Sequence, residues 1–384
     1  MINVNSVNTV NTVNPSGQLS PELKKRIRQD VQSMHAYAIQ DSVGMVKLDA
    51  MENPHRLPAH LQAELGQRLG ALALNRYPDG RVNDLRRALA DYAGMPDGFD
   101  IMLGNGSDEL ISLLSLACHV PGASVLAPVP GFVMYAMSAQ LQGLAFIGVP
   151  LSADFELDEA AMLAAIAEHK PSIVYLAYPN NPTANLWDDA VIEKIITAVG
   201  EQGGLVVMDE AYQPFSSQSY IGRISRYSHV LLMRTLSKFG LAGVRLGYMI
   251  GPKALIAEFD KVRPPYNISV LNYECALFAL EHQDVFAAQA ADLVRQRERL
   301  LKALRAMPGL TVWNSEANMI LVRVNGKQEG EADAAGLVFE RLKAGGVLVK
   351  NISKMHFLLS NCLRLTIGTA DENTQLLATL QKSL

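Results

Sequence analysis

An apolar segment that recurs three times, each time followed by polar side chains, places the strongest restriction on how this sequence can fold. The repeats lie about 30 residues apart, the length of one strand–helix–strand unit, so they are predicted to be neighbouring parallel strands. The three segments and the polar residues after them are Ser172–Ala177 with Asn180 and Asn181, Leu205–Met208 with Asp209 and Tyr212, and Val230–Leu236 with Ser237 and Lys238. Ligands bind beyond the carboxyl ends of such strands. The pattern therefore predicts an α/β fold with a ligand site at one edge of its sheet.

The composition excludes several other classes of protein. Apolar residues make up 49% and charged residues 19% of the 384 residues, as is typical of a soluble globular protein. The formal net charge of −4 offers no basic surface for nucleic acid, and no apolar run reaches the roughly 18 residues of a membrane span. The eight histidines and three cysteines lack metal-ligand spacing. Cys118, Cys275 and Cys362 are predicted to be reduced thiols of a cytoplasmic protein.

The length of the chain predicts more than one domain, because a single core rarely extends over so many residues. The predicted divisions are a disordered Asn/Val/Thr-rich tail at 1–19, an N-terminal arm and part of a small domain at 20–58, a large ligand-binding domain at 59–283 and a small C-terminal domain at 284–384. The large domain is expected to have a mostly parallel sheet flanked by helices, and the smaller domain to be α+β. A helix is expected from Ser20 to about Asp41, with Ser20 as its N-cap, and a strand at Val347–Lys350.

Lys238 is the leading candidate for a reactive side chain. It lies on the predicted connection between two buried strands, seven residues before Arg245. Apolar surroundings and the positive charge of Arg245 both favour the neutral amine, which is the form that makes an imine with a carbonyl group. A solvated loop residue is the more common interpretation of an isolated lysine. The polar residues at the ends of the neighbouring strands favour the reactive interpretation here.

A glycine-containing turn is predicted to bind an anion. The strand Ile101–Leu103 runs into Gly104 and Gly106, and a helix begins near Asp108. The N–H groups at a helix N-terminus attract phosphate, and glycine lets an anion approach the backbone closely. The third glycine of a dinucleotide fingerprint is missing, and turns of this kind are common in α/β domains. The turn therefore predicts an anion site but no particular activity.

Two further residues could contact a ligand. Phe132 follows a predicted strand directly and could stack on a planar ring, although core packing is the more common role of such a residue. Arg364 lies inside the apolar run CLRLTIG. A buried arginine is costly unless it meets an anion, so either a structural carboxylate or a ligand carboxylate is expected beside it.

Together these side chains suit pyridoxal 5′-phosphate (PLP), an aromatic aldehyde with a phosphate group and a pyridine nitrogen. Its chemistry depends on an imine and on an electron-withdrawing ring. Lys238 is expected to form the imine and then to move the proton at the substrate carbon, while Asp209 keeps the ring nitrogen protonated. The other expected contacts are Asn181 and Tyr212 at the ring oxygen, Gly106, Ser107, Ser237 and Arg245 at the phosphate, and Phe132 over the ring face.

The motifs, taken in order, resemble those of the fold type I, aspartate aminotransferase-like PLP enzymes, and within them those of the histidinol-phosphate aminotransferase family. The resemblance covers roughly residues 45–384 and is carried by KLDAMENP, RYPDG, LGNGSDELI, YPNNPT, DEAY, RTLSK followed by GLAGVRLGY, PPYN and LRLTIGT. It implies the roles already given to Lys238, Asp209, Asn181 and Tyr212, and it adds Asp108 to the phosphate-binding turn. Phe132 matches the family's stacking tyrosine without its hydroxyl group.

The resemblance also implies a homodimer whose sites lie at the interface. Tyr77 would bind the phosphate in the neighbouring subunit, and Tyr266 would contact substrate across the interface. Arg364 matches the arginine that binds the carboxylate of glutamate or 2-oxoglutarate. Lys350 stands where some relatives have a second anion-binding arginine, but a lysine cannot form the same bidentate contact.

The motif that contains Asn53 departs from the family pattern. Asn53 is a candidate for substrate binding, whereas Met51 replaces the asparagine that is usual two positions earlier. The replacement removes no catalytic atom and is expected to adjust the substrate pocket.

The predicted activity is PLP-dependent transamination of L-histidinol phosphate with 2-oxoglutarate in histidine biosynthesis. Other reactions on the same scaffold remain as alternatives, among them aromatic amino acid transamination and threonine-phosphate decarboxylation. A non-catalytic PLP-binding regulatory domain is an alternative from a different class of protein. The presence of Lys238, Asp209 and Arg245 favours an enzyme.

Overall fold

A computed structural model describes residues 19–34, 40–326 and 333–384. The described residues up to Asp41 form one compact unit, and those from Ser42 to Leu384 form another. The first unit contains helices α1 (Pro21–Lys24) and α2 (Gln29–Ser33). Ser20 caps α1 as predicted, since its side chain accepts a hydrogen bond from the Leu23 N–H at 3.3 Å.

The single helix expected from Ser20 to Asp41 is wrong. Arg28, between α1 and α2, has φ −52° and ψ 137°, a conformation that interrupts a helix. Residues 35–39 lie outside the described residues, and so do residues 1–18 of the predicted tail.

Strands and helices alternate along most of the second unit. Its strands are β1 (Val46–Lys47), β2 (Phe99–Gly104), β3 (Ser124–Val129), β4 (Ala145–Pro150), β5 (Ile173–Ala177), β6 (Leu205–Asp209), β7 (Val230–Thr235), β8 (Gly247–Pro252), β9 (Leu310–Val312), β10 (Met319–Val324), β11 (Val347–Leu348), β12 (Lys350–Asn351) and β13 (Cys362–Thr366). Its helices are α3 (Ala59–Gly70), α4 (Arg81–Ala93), α5 (Ser107–Ala117), α6 (Val133–Gln142), α7 (Glu159–His169), α8 (Asp189–Glu201), α9 (Lys253–Asp260), α10 (Val270–Glu281), α11 (Gln283–Arg305), α12 (Ala334–Ala344) and α13 (Ala370–Ser383).

The central feature of this unit is a seven-stranded sheet with the order β2-β8-β7-β6-β5-β3-β4. Strand β8 runs antiparallel to both of its neighbours, and the other pairs are parallel. The register aligns Ala177 with Asp209, and Asp209 with Met233. The prediction that three recurring segments form neighbouring parallel strands is confirmed, and with it the α/β fold class.

The apolar runs of the central strands are buried because both faces of the sheet are covered. Every residue of β5 is buried, and alternate side chains enter different hydrophobic clusters. Val174 and Leu176 belong to one cluster, whereas Ile173 and Tyr175 belong to another. Since successive side chains of a strand point to opposite faces, two cores hold the sheet between them and fix the position of its carboxyl edge.

A second, antiparallel sheet follows later in the chain, with the order β12-β13-β10-β9, and β1 pairs with β11 in a separate parallel pair. The strand expected at Val347–Lys350 is thus divided between two sheets. A third hydrophobic cluster surrounds this region and includes Met319, Leu363 and Leu376. It supports the predicted small domain, whose boundaries at residues 58 and 283 remain a prediction. Among the described residues, no helix has the length and apolar character needed to span a membrane.

Candidate active site

The carboxyl edge of the large sheet opens into a cavity of about 340 Å³. Most of the residues predicted to bind a cofactor line it, although they come from distant parts of the chain. The predicted residues in its wall are Ser107, Asp108, Phe132, Asn181, Asp209, Tyr212, Ser237, Lys238 and Arg245. The expectation that the recurring polar clusters meet at one edge therefore agrees with the structure.

Lys238 lies in a short helical turn, Ser237–Leu241, directly after β7. The sequence placed Lys238 on the connection between two strands, and in the structure Ser237 and Thr235 bond to each other and shape the turn there. The Lys238 amine donates a hydrogen bond to the Ala50 carbonyl oxygen at 2.9 Å. Burial, followed by repulsion from Arg364 and a smaller repulsion from Arg245, lowers the pKa of Lys238 to about 8. The lower pKa gives Lys238 far more neutral amine near neutral pH than an ordinary lysine has, which suits a nucleophile or a base.

Asp209 ends β6, and the residue is only 4% exposed. One oxygen accepts from the Ala211 N–H at 3.0 Å, and the other accepts from the Tyr135 hydroxyl at 2.6 Å. Burial raises the pKa of Asp209 to about 6, although these two hydrogen bonds oppose the rise. Since neither of these two donors to Asp209 among the described residues is a cation, this buried acid is suited to pair with a protonated ring nitrogen.

Tyr135 was not predicted to take part in the site. It is buried in α6, and its ring stacks on Tyr175 with 4.3 Å between ring centroids. Because its partner Asp209 lies on a strand much later in the sequence, no local pattern marks the contact.

The anion-binding turn is built from Gly106, the start of α5 and Arg245. Gly106 has φ 85°, which favours glycine, and an added Cβ would lie 2.6 Å from Arg245 Nη2. Arg245 also bonds to Ser237 Oγ at 3.3 Å and to Asp108 Oδ2 at 3.4 Å. The guanidinium thus lies beside the N–H groups that begin α5, an arrangement that fits a phosphate group.

Arg364 lies in β13 and is buried, as its apolar surroundings predicted. Its Nη1 donates to Asn181 Oδ1 at 2.8 Å, and its Nη2 donates to the Asp49 carbonyl oxygen at 2.9 Å. These two partners are neutral oxygens rather than a carboxylate. Asn181 also lines the cavity, so it connects the arginine to the proposed cofactor site.

Besides Gly106 and Arg364, which contact residues of the cavity wall, four predicted residues lie outside that wall. Tyr77 and Tyr266 stack on each other with 4.5 Å between ring centroids and are 77% and 56% exposed. Asn53 donates to Gln289 Oε1 at 2.9 Å, and Lys350 lies across from Arg364 in the β12–β13 pair. The structure of one chain therefore brings Lys350 near the carboxylate-binding candidate but leaves the two tyrosines on the surface.

Comparison with known proteins places this geometry in a family. The sequence model of aminotransferase class I and II matches residues 43–380, and the chain belongs to that family. It is 80% identical to a histidinol-phosphate aminotransferase of Polaromonas naphthalenivorans over 96% of this chain and 99% of the relative. It is 70% identical to a protein of the same name from Methylibium petroleiphilum, over 96% of this chain and 97% of the relative.

Solved structures agree with the fold. The structure of histidinol-phosphate aminotransferase from Sinorhizobium meliloti, in complex with pyridoxal-5′-phosphate, has a TM-score of 0.80. Its sequence identity is 24%, and the match covers 93% of this chain and 97% of that one. A putative aminotransferase from Burkholderia pseudomallei has a TM-score of 0.75 at 29% identity, covering 90% of this chain and 99% of that one.

Proposed function

We propose that this protein transfers the amino group of L-histidinol phosphate to 2-oxoglutarate, giving imidazole acetol phosphate and glutamate in histidine biosynthesis. The observation that carries the proposal is a single cavity that unites Lys238, Asp209 and the Arg245 anion site. The high identity to a histidinol-phosphate aminotransferase over nearly the full chain supports this substrate over others.

The cofactor is PLP, and the described residues fit its three functional groups. When bound, PLP supplies an aldehyde that combines with amines and a ring that withdraws electrons from the reacting carbon. The turn at Gly106 and Ser107, with Asp108, Ser237 and Arg245, would hold the phosphate. Asp209 would hold the ring nitrogen protonated, Asn181 and Tyr212 would donate to the ring oxygen, and Phe132 would cover a ring face.

The reaction itself needs a proton to move at the substrate carbon that carries the nitrogen. Lys238 Nζ is the base that removes this proton and the acid that returns it, because burial keeps its amine partly neutral near pH 8. Arg364 would bind the carboxylate of glutamate or 2-oxoglutarate through its guanidinium. Lys350 lies opposite Arg364 in the β12–β13 pair and would add positive charge beside the bound carboxylate. Asn53 would also contact the substrate.

We further infer that the protein is a homodimer and that it acts in the cytoplasm. The exposed Tyr77–Tyr266 pair supports a dimer, because large stacked aromatic rings on a surface are typical of an interface. Mixing inactive Lys238→Ala and Tyr77→Ala variants tests it, since sites shared between subunits would regain activity in the mixed dimer. The free thiols of Cys118, Cys275 and Cys362 support a reducing compartment.

A half-reaction experiment tests the function. The PLP-loaded protein is mixed with one amino donor at a time, without an oxo acid, and the absorbance of the cofactor is followed. We expect the rate constant for histidinol phosphate to exceed that for phenylalanine by at least about 100-fold, and O-phosphothreonine to give no carbon dioxide. Equal rates with phenylalanine, or release of carbon dioxide, would assign the scaffold to one of the alternative reactions.

A further inference from the structure

Met51 has an unusual backbone conformation beside the cavity. Its φ is 51°, in the left-handed region that residues other than glycine, asparagine and aspartate seldom adopt. A residue stays in this region only where several surrounding contacts hold its backbone, and such residues cluster at ligand sites.

The surroundings of Met51 fix the turn from both sides. Its N–H donates to Thr366 Oγ1 at 3.0 Å, and its carbonyl oxygen accepts from Asn318 Nδ2 at 3.0 Å. The two preceding carbonyl oxygens, of Asp49 and Ala50, accept from Arg364 Nη2 and Lys238 Nζ, each at 2.9 Å. Three successive carbonyl groups thus meet three donors, and the left-handed turn follows the carbonyl that meets the reactive amine.

The side chain of Met51 has no comparable polar role. Met51 lines the cavity, is 7% exposed and belongs to the same hydrophobic cluster as Tyr212. The other cavity residues that are proposed to bind the cofactor include the polar or charged Asn181, Asp209 and Arg245. A thioether is apolar, polarisable and adaptable, and it makes favourable contacts with the edges of aromatic rings.

We propose that Met51 is a specificity-determining residue, held by its strained turn so that its side chain packs against the imidazole ring of the amino donor. The proposal rests on the proposed function, since it names the part of the donor that Met51 recognises. Glutamate has no ring and uses its carboxylate at Arg364, so it depends less on this contact.

The test compares two half-reactions of the PLP-loaded protein, with histidinol phosphate and with glutamate, by single-turnover absorbance. For Met51→Ala we expect the ratio of the two rate constants to fall at least about tenfold, as for a lost apolar contact in a substrate pocket. Met51→Leu keeps an apolar side chain of similar volume and is expected to keep most of the ratio.

Lys170→Ala is the matched control for backbone conformation. Lys170 also has a positive φ, 44°, but it is exposed at the end of α7, so the ratio should stay unchanged. An unchanged ratio in Met51→Ala would overturn the proposal, as would a parallel fall of both half-reactions. Failure of the unmodified protein to use histidinol phosphate would instead refute the proposed function, and the ratio would then be measured with the donor that reacts fastest.

Discussion

Asp209 and Glu210 are neighbours at the end of β6, yet their surroundings differ completely. Glu210 is buried and its carboxylate accepts from Arg234 Nη2 at 2.8 Å, from Ser219 Oγ at 3.0 Å and from the Tyr220 N–H at 2.5 Å. Asp209 faces the cavity, and in the part of the chain that the structure describes its hydrogen-bond donors are two neutral groups and no cation. Successive side chains of a strand point to opposite faces, so Glu210 is part of the protein interior and Asp209 faces the space where a ligand would bind.

This difference teaches how a site can be separated from a structural ion pair. A buried charge is stable when paired and hydrogen-bonded, and costly when it is not. Arg234 and Glu210 form a buried ion pair. Burial instead lowers the pKa of Lys238 and raises the pKa of Asp209, so the charged form of each is disfavoured. Uncompensated groups that share a cavity are those expected to act on a bound molecule. Substitution of Lys238 or Asp209, on the cavity side, should therefore lower activity without destabilising the protein. Substitution of Glu210, on the structural side, should instead lower stability.

The largest expected effect is on the cavity side. Lys238→Ala removes the base, and we expect the rate of the half-reaction with histidinol phosphate to fall by about 10⁴-fold, with the protein still folded. Lys194→Ala, which removes only an exposed partner of Glu159, is the control and should keep full activity. Rates are measured by single-turnover absorbance with matched cofactor content. Retention of more than about a tenth of the rate would mean that another group moves the proton.

On the structural side, Glu210→Ala leaves Arg234 buried without its carboxylate. We expect the free energy of unfolding to fall by about 3–5 kcal/mol, measured by urea denaturation. The double variant Glu210→Leu with Arg234→Met removes both charges and should recover much of this loss. A single-variant loss below about 1 kcal/mol would place Glu210 with weakly coupled surface acids and would break the contrast with Asp209.

The fold and much of this contrast could be predicted because they depend on local patterns. Apolar runs such as Ile173–Ala177 predict buried strands, and the spacing of the polar clusters after them predicts one common edge. Asp209 and Lys238 could be placed there without knowledge of any long-range contact. Tyr266 and Tyr77 illustrate the opposite limit, because the role predicted for them requires a second chain.

Other features depend on contacts between distant segments, which no local pattern encodes. The Ala50 carbonyl meets Lys238, and Tyr135 meets Asp209, only after the chain has folded. Arg364 likewise affects the pKa of Lys238 more strongly than Arg245 does, although Arg245 is the nearer in sequence. The strained turn at Met51 follows from four hydrogen bonds to three other parts of the chain.

Asp209→Asn should change stability in the opposite direction to Glu210→Ala. The pKa of Asp209 is raised from 3.8 to about 6, so between these values the folded state keeps a proton that the unfolded state has lost. Stability of the cofactor-free protein should therefore fall as pH rises through this window, by up to about 3 kcal/mol. We expect Asp209→Asn to stabilise the cofactor-free protein at pH ~7.5 by about 1–3 kcal/mol and to do so much less at pH ~4.

Urea denaturation of both proteins at the two pH values measures the effect. The Tyr135 hydroxyl can donate to or accept from the new amide, so the substitution need not leave an unpaired group. The same variant should lose activity, because a neutral amide cannot hold a proton on the ring nitrogen. Destabilisation at the higher pH would show that the Asp209 carboxylate is already compensated, as that of Glu210 is.

The smallest expected effect is that of Tyr135→Phe, which removes the hydroxyl that donates to Asp209 at 2.6 Å but keeps the ring. This hydrogen bond favours the ionised carboxylate, so its loss should raise the pKa of Asp209 further and lower stability above that pKa by about 1 kcal/mol. The fall in stability of the cofactor-free protein should then extend to a higher pH. Tyr175→Phe preserves the Tyr135–Asp209 bond and is the control. If both variants gave the same pH profile, the Tyr135 hydroxyl would have no effect on the pKa of Asp209, and the Ala211 N–H would be the hydrogen bond that favours the ionised form.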